Sequence, residues 1–193
     1  MIQRLSVLAA ICATMIAVHI VNLLLGGGLL VFGIDPRNPE SAYTIFTAPW
    51  LHADFGHLFS NLASFTVLAA ICLLNGIRYF LKASFLIIAI TGALVWLLAR
   101  DNLHVGASGW IFGLWALVIT LAFVDRSWRN IAIGFAVAFF YGGMVWGVLP
   151  TDNYISFESH LFGAIAGVGA AVILSRKTRR IASPDTAQLT FWS

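Results

Sequence analysis

The stretch NLHVGASGWIFGLWALVITLAFV, residues 102–124, contains 23 residues without an Asp, Glu, Lys or Arg, and it is flanked by Asp101 and Asp125. An apolar helix needs about 20 residues to cross a bilayer. In lipid a segment must satisfy its own backbone hydrogen bonds, which an isolated strand cannot do. The stretch therefore predicts a transmembrane helix.

The rest of the chain has the same long gaps between charges. Its 193 residues are 60% hydrophobic and 10% charged, with a mean hydropathy of +0.91. A soluble domain has about a quarter of its residues charged, so a soluble globular domain, a disordered chain and a nucleic-acid binder are excluded. We predict an all-α integral membrane protein with a single six-helix domain over residues 1–180. The expected spans are about 5–32, 56–77, 83–99, 106–124, 130–149 and 157–175.

The signs of the charges predict the orientation. With the N-terminus inside, nine Lys and Arg residues lie in inner segments and only Arg37 and Arg100 lie outside. Cytoplasmic loops carry the excess of Lys and Arg, so we expect cytoplasmic termini and a short cytoplasmic tail at 181–193. The first apolar run continues past Leu30, which favours a retained span over a signal peptide. The basic run 176–180 favours a stop-transfer anchor over a site for acidic lipid headgroups.

The absence of charge inside these windows also restricts the chemistry. Proton-coupled carriers and aspartate-based intramembrane proteases need carboxylates within the membrane. A zinc protease would carry H-E-x-x-H, and this string does not occur in the chain. We therefore expect no metal and no cofactor, and any chemistry must use uncharged polar side chains.

Such side chains recur at one depth of the predicted bundle. His57 and Asn61 lie near the start of the second window, Ser108 near the start of the fourth and His160 near the start of the sixth. These three windows run from outside to inside, so all four residues would lie near the outer face. Each residue alone is typical of ordinary helix packing, but four at one depth predict a functional site.

The spacing of neighbouring residues favours close packing around this site. His57 and Asn61 are four residues apart and share one helical face. Glycines at G-x-x-x-G spacing let membrane helices approach closely, which would bring Ser108 and His160 within hydrogen-bond reach. Gly109 with Gly113 and Gly163 with Gly167 have this spacing. Gly106, just before Ser108, can take backbone angles that other residues resist.

Three motifs resemble those of the rhomboid intramembrane serine proteases. They are H-x-x-x-N at 57–61, G-x-S-G at 106–109 and H-x-x-G-x-x-x-G at 160–167. Their order and their places on the second, fourth and sixth windows also resemble the family's six-span core. The likeness covers about residues 5–175.

The resemblance implies a serine endopeptidase in which Ser108 is the nucleophile and His160 the general base. It implies that His57 and Asn61, with the Ser108 N–H, bind the oxyanion. A Ser hydroxyl is a poor nucleophile until a base takes its proton. Expected partners are transmembrane protein substrates, cut near the outer face, and the lipid bilayer, with no nucleic acid and no metal. The expected location is a bacterial plasma membrane.

Two alternatives stay open: a catalytically inactive rhomboid-like protein that binds or escorts membrane proteins, and a small channel or carrier. The presence of both Ser108 and His160 favours the active enzyme. The chain departs from the family at Tyr43-Thr44, where bacterial members often carry Trp-Arg in a first outer loop that is short here. It also has Phe112 where members often carry a Tyr that packs on the catalytic His.

The remaining histidines suggest lesser roles. His52 is expected either to brace the outer loop or to be a partly exposed residue without a role. His104 is expected to be a plain loop residue. His19 and Asn22 are expected to make contacts between helices.

Overall fold

Long apolar stretches form the helices of this chain, and glycines end several of them. The computed structural model describes residues 1–150 and 156–182, with the backbone alone over 176–182. Within these residues the fold is all-helical, which confirms the predicted class. The predicted tail beyond residue 182 and the side chains of the basic run lie outside this part. The α-helices are α1 Ile2–Leu24, α2 Phe55–Leu73, α3 Ile77–Leu98, α4 Ser108–Val124, α5 Trp128–Phe140 and α6 Phe157–Ala182.

Four of the described helices are long and apolar enough to cross a membrane: α1, α2, α3 and Phe157–Ser175 of α6. A fifth candidate arises if α5 is joined to the 3₁₀ segment Gly142–Val148, which turns 63° away from the direction of α5. We call Gly142–Val148 the bent segment. α4 is apolar but has only 17 residues, roughly 26 Å of helix. It is therefore shorter than the ~30 Å hydrocarbon core.

Glycines explain where two helix ends depart from the predicted spans. α1 stops at Leu24, short of the predicted end at 32, because Gly26 and Gly27 adopt φ angles of 60° and 89°. Residues with a Cβ resist such angles. α3 begins at Ile77, ahead of the predicted start at 83, directly after a turn at Gly76 with φ 102°.

α4 is the central helix, in contact with α2, α3, α5 and α6. Trp110 of α4 donates a hydrogen bond to Ser84 Oγ of α3 at 3.0 Å. Its ring meets the edge of Phe65 of α2, with 4.5 Å between the ring centroids. A buried indole thus satisfies its N–H while it fills the core.

Glycines let the backbones of α4 and α6 approach each other directly. A methyl group on Gly163 would overlap the carbonyl of Gly109, and one on Gly167 would overlap that of Gly113. Small residues at this spacing allow such an approach. The two helices are therefore held at a fixed depth relative to each other, and so are the residues at their N-terminal ends.

The connection between α1 and α2 packs along α3. A Cβ on Gly92 would lie 2.5 Å from the Cβ of Ile45, so this glycine makes room for the loop. Trp96 Nε1 donates to the carbonyl of Asn38 at 2.9 Å. This connection, which lacks a Trp-Arg pair, is thus held against α3 by other residues.

Candidate active site

The first turn of α2 carries His57, and Asn61 lies one turn further along the same helix. The Asp54 carboxylate accepts a hydrogen bond from the His57 backbone N–H at 2.8 Å, as N-cap residues do. This bond is the main reason why the pKa of Asp54 lies below its ordinary value. The cap starts α2 at Phe55, two residues before His57, and it places His57 and Asn61 in the N-terminal part of the helix.

The turn before α4 brings Ser108 to this end of α2. Gly106 adopts a φ of 113° and donates its N–H to the Ala48 carbonyl at 2.9 Å. A Cβ at this position would lie 2.5 Å from His57 Nε2 and 3.4 Å from Asn61 Nδ2. Only glycine lets the backbone pass so close. Ser108 is the first residue of α4, so its N–H has no acceptor within the helix.

A cavity of about 410 Å³ lies between the ends of α2, α4 and α6. Its lining includes His57, Asn61, Ser108 and His160, the four side chains that the sequence singled out. The structure therefore brings all four together around one space. This space is large enough to admit water and an extended peptide segment.

Asn61 has a free donor at this cavity. Its side chain is 6% exposed, and its Nδ2 has no hydrogen-bond partner among the described residues. Buried polar groups are almost always paired, and an unpaired donor carries a desolvation cost. An unpaired buried amide in the cavity wall can donate to a negatively charged oxygen bound there.

The His160 ring is held from two directions. Its face stacks on Phe112, with 4.1 Å between the centroids and 5° between the planes. In the ring plane, Nδ1 lies 2.8 Å from the carbonyl oxygen of Gly147 in the bent segment. The hydrogen bond that the ring makes thus runs to Gly147 rather than to Ser108.

His104 is a cavity residue that the sequence interpretation missed. The prediction of a plain loop residue was wrong, because His104 is 4% exposed and lines the cavity. Its Nδ1 accepts a hydrogen bond from Ser156 Oγ at 2.7 Å, and its Nε2 donates to the Arg100 carbonyl at 3.2 Å. Burial is the main cause of a lowered pKa of His104. No sequence periodicity marks a residue in this irregular connection.

His52 packs against the ring of His57. It is fully buried, which excludes the expected alternative of a partly exposed residue, and its ring meets that of His57 edge-on, with centroids 5.1 Å apart. His19 of α1 places its Nδ1 3.1 Å from the His52 carbonyl. Burial, with the nearby His57, lowers the pKa of His52 to about 4. A neutral His52 can therefore pack against His57 at physiological pH.

The two polar residues of α1, His19 and Asn22, have different partners. The Asn22 side chain accepts a hydrogen bond from the Leu29 N–H at 3.0 Å, and Leu29 belongs to the 3₁₀ segment Gly28–Phe32 that follows α1. His19, by contrast, contacts the loop before α2 and the edge of the Phe55 ring.

Within the described residues, no three His, Cys, Asp or Glu side chains converge as a metal ion would require.

With this geometry in place, the comparison with known proteins identifies the family. A family model described as the Rhomboid domain matches residues 39–177. The chain belongs to the rhomboid family. The matched region contains the whole cavity lining and confirms the resemblance inferred from the three motifs.

Relatives of this rhomboid-family chain occur in bacteria and in a plant. An uncharacterized protein of Mycobacterium tuberculosis is 35% identical over 178 residues, which cover 87% of this chain and 74% of the relative. An uncharacterized protein of Mycobacterium leprae is 35% identical over 80% of this chain and 66% of its own. Rhomboid-like protein 11, chloroplastic, of Arabidopsis thaliana is 31% identical over 72% of this chain and 55% of its own.

Proposed function

We propose that this rhomboid-family protein is an intramembrane serine endopeptidase that hydrolyses transmembrane proteins near the outer membrane face. Ser108 is the nucleophile and His160 is the general base. The observation that carries the proposal is the cavity between α2, α4 and α6. Its lining includes Ser108, His57, His160 and the unpaired buried amide of Asn61. Family membership supports the same chemistry.

In the first half of the reaction, Ser108 Oγ attacks the carbonyl carbon of the scissile bond while its proton passes to a nitrogen of His160. The tetrahedral intermediate collapses, the C–N bond breaks, and His160 returns the proton to the leaving amine. In the second half, water attacks the acyl-enzyme ester with His160 again as base, which releases the new carboxylate and restores Ser108.

The negative oxygen of both intermediates needs donors that are already in place. In the proposed site these are the Asn61 amide, the His57 ring and the Ser108 N–H at the start of α4. Such donors gain strength where water is scarce, and losing one costs roughly 10²–10³ in kcat in a soluble serine protease. The unpaired state of Asn61 Nδ2 supports this role, because an intermediate would supply the missing acceptor.

The proposal includes the six-span arrangement over residues 1–180, with both termini in the cytoplasm and a cytoplasmic tail at 181–193. α4 is the fourth span, recessed within the bundle, and α5 with the bent segment is the fifth. A short, buried α4 would set Ser108 below the outer surface, where the cavity supplies water. The proposed location is the plasma membrane of a bacterium, consistent with the mycobacterial relatives.

Cleavage in liposomes tests the activity. Purified wild type and Ser108→Ala are reconstituted with a panel of single-span fusion proteins that carry small residues in the outer half of the span. We expect the wild type to produce two fragments from at least one member, with a cut near the membrane boundary, and Ser108→Ala to produce none. Equal fragments from both proteins would contradict the proposal.

Cysteine accessibility tests the orientation. Cys12 and Cys72 are replaced by Ala, and single cysteines are placed at the exposed positions Asn102 and Ser127. In intact cells, an impermeant maleimide should react at 102 and not at 127, and cell lysis should make 127 reactive. The reverse pattern would invert the topology.

A further inference from the structure

The hydrogen bond between His160 and Gly147 sets the protonation pattern of the imidazole. A carbonyl oxygen can only accept a hydrogen bond, so the 2.8 Å contact with Nδ1 requires the proton to be on Nδ1. In the neutral ring the lone pair is then on Nε2. This tautomer can accept a proton from a serine hydroxyl through Nε2.

We propose that Gly147 is a positioning residue for His160, whose backbone carbonyl takes the place of the carboxylate in a Ser-His-Asp triad. The inference rests on the proposed function and adds to it a third member of the catalytic group. In soluble triads the third member holds the imidazole in the correct tautomer and stabilises the imidazolium that forms. Here an uncharged carbonyl does both, without the cost of a carboxylate in an apolar surrounding.

The local sequence removes the partner that this carbonyl would have within a 3₁₀ helix. Gly147 lies in the 3₁₀ bent segment, where a carbonyl normally accepts from the N–H three residues later. That residue is Pro150, which has no N–H. The carbonyl therefore has no 3₁₀ partner along the chain, and the turn away from α5 brings it to His160.

Residue 147 must also be a glycine for this contact. A Cβ there would lie 2.7 Å from Phe112 Cζ and 3.3 Å from His160 Nδ1. A side chain would push Phe112 off the face of His160 and move the carbonyl away from Nδ1. The bent segment contains a matched control at Gly143, where an added Cβ meets nothing within 4 Å.

The first experiment compares Gly147→Ala with Gly143→Ala in the reconstituted full chain. The ¹⁵N chemical shifts of His160, assigned by their loss in His160→Ala, report the tautomer. We expect the Nδ1–H form in the wild type and in Gly143→Ala, and a mixture in Gly147→Ala. In a cleavage assay we expect kcat to fall at least about tenfold in Gly147→Ala, with KM within about twofold and Gly143→Ala unchanged.

A second experiment changes the carbonyl without adding a side chain. The α-hydroxy analogue of valine at Val148 turns the 147–148 amide into an ester, whose carbonyl is a weaker acceptor. The same analogue at Val145 weakens the Met144 carbonyl in the same segment and is the matched control. We expect kcat to fall severalfold more for the ester at 148 than for the ester at 145.

An Nε2–H tautomer in the wild type would overturn the inference, and so would equal kcat values for the two esters. The failure of the proposed function is a different result. If the wild type neither reacts with a fluorophosphonate nor cleaves a substrate, Ser108 is not a nucleophile. The ¹⁵N shifts then still report whether Gly147 holds His160.

Discussion

Two of the three histidines that line the cavity each have one ring nitrogen hydrogen-bonded to a backbone carbonyl. His160 is bonded through Nδ1 to Gly147, and His104 through Nε2 to Arg100. They differ at the second nitrogen. His104 Nδ1 accepts a hydrogen bond from Ser156 Oγ at 2.7 Å. His160 Nε2 is instead proposed to accept the proton of the Ser108 hydroxyl.

This difference distinguishes His104, which has a structural role, from His160, the proposed base. Ser156 Oγ also lies 2.7 Å from Ser159 Oγ and accepts from the Ser159 N–H at 3.2 Å. The Ser156 hydroxyl is therefore part of the cap of α6, and its bond to His104 joins that cap to the connection before α4. A carbonyl partner alone does not define a base, because the partner of the other nitrogen decides the role.

Removing each imidazole gives the largest expected contrast. His160→Ala should lower kcat by at least about 10⁴-fold, as loss of the base does in soluble serine proteases. His104→Ala should lower kcat by less than about tenfold. Cleavage of a reconstituted single-span substrate measures both values, with folding checked by thermal unfolding in detergent. Comparable losses in the two variants would abolish the distinction between the histidines.

The other side of the cavity is tested by Asn61→Ala. We expect kcat to fall by roughly 10²–10³ with little change in KM, since the amide acts on the oxyanion and not on the bound substrate. Ser60→Ala is the matched control, because Ser60 lines the same cavity but its hydroxyl donates to the His57 carbonyl at 3.0 Å. An unchanged kcat in Asn61→Ala would remove Asn61 from the oxyanion site.

The cap of α6 should affect stability more than catalysis. Ser156→Ala removes the donor to His104 Nδ1 and the acceptor for the Ser159 N–H, and we expect a loss of about 1–2 kcal/mol in the free energy of unfolding. The expected change in kcat is within about threefold. Ser64→Ala, which also removes a hydroxyl from the cavity lining, should leave stability unchanged. A larger effect on kcat than on stability would make Ser156 part of the reaction.

The last prediction concerns the dependence of stability on pH. The pKa values of His104 and His52 are lowered in the folded protein, that of His52 to about 4. The unfolded chain therefore takes up protons first, and stability falls as the pH drops below about 6.5. For His52 the loss continues to about pH 4. Melting temperatures between pH 7 and 4 should decline less steeply in His52→Leu than in the wild type, and parallel curves would contradict this account.

The sequence was sufficient for the family, through the resemblance of three motifs, and for four of the side chains that line the cavity. Physical patterns mark the places of those four, His57, Asn61, Ser108 and His160. Gaps between charges locate apolar helices, and polar residues at the start of alternate helices meet where those helices pack. The G-x-x-x-G spacings at Gly109 and Gly163 correspond to a direct backbone contact between α4 and α6.

Other features could not be inferred from residue type. Gly147 acts through its carbonyl, which every residue has, and only the fold shows that this carbonyl meets His160. The role of His104 depends on a side chain 52 residues away in sequence. The observed helix ends differ from the predicted ones where consecutive glycines such as Gly26 and Gly27 interrupt an apolar run. Hydropathy alone contains no information on backbone angles.

The central claim is that Ser108 is a nucleophile activated by His160, and one measurement tests it without knowledge of the substrate. Detergent-purified protein is treated with a fluorophosphonate, and the adduct is located by peptide mass mapping. The account predicts a single phosphonylated residue, Ser108, and no adduct in Ser108→Ala or His160→Ala. Absence of label from the wild type under conditions that label a rhomboid protease of known activity, or label that persists in Ser108→Ala, would contradict it.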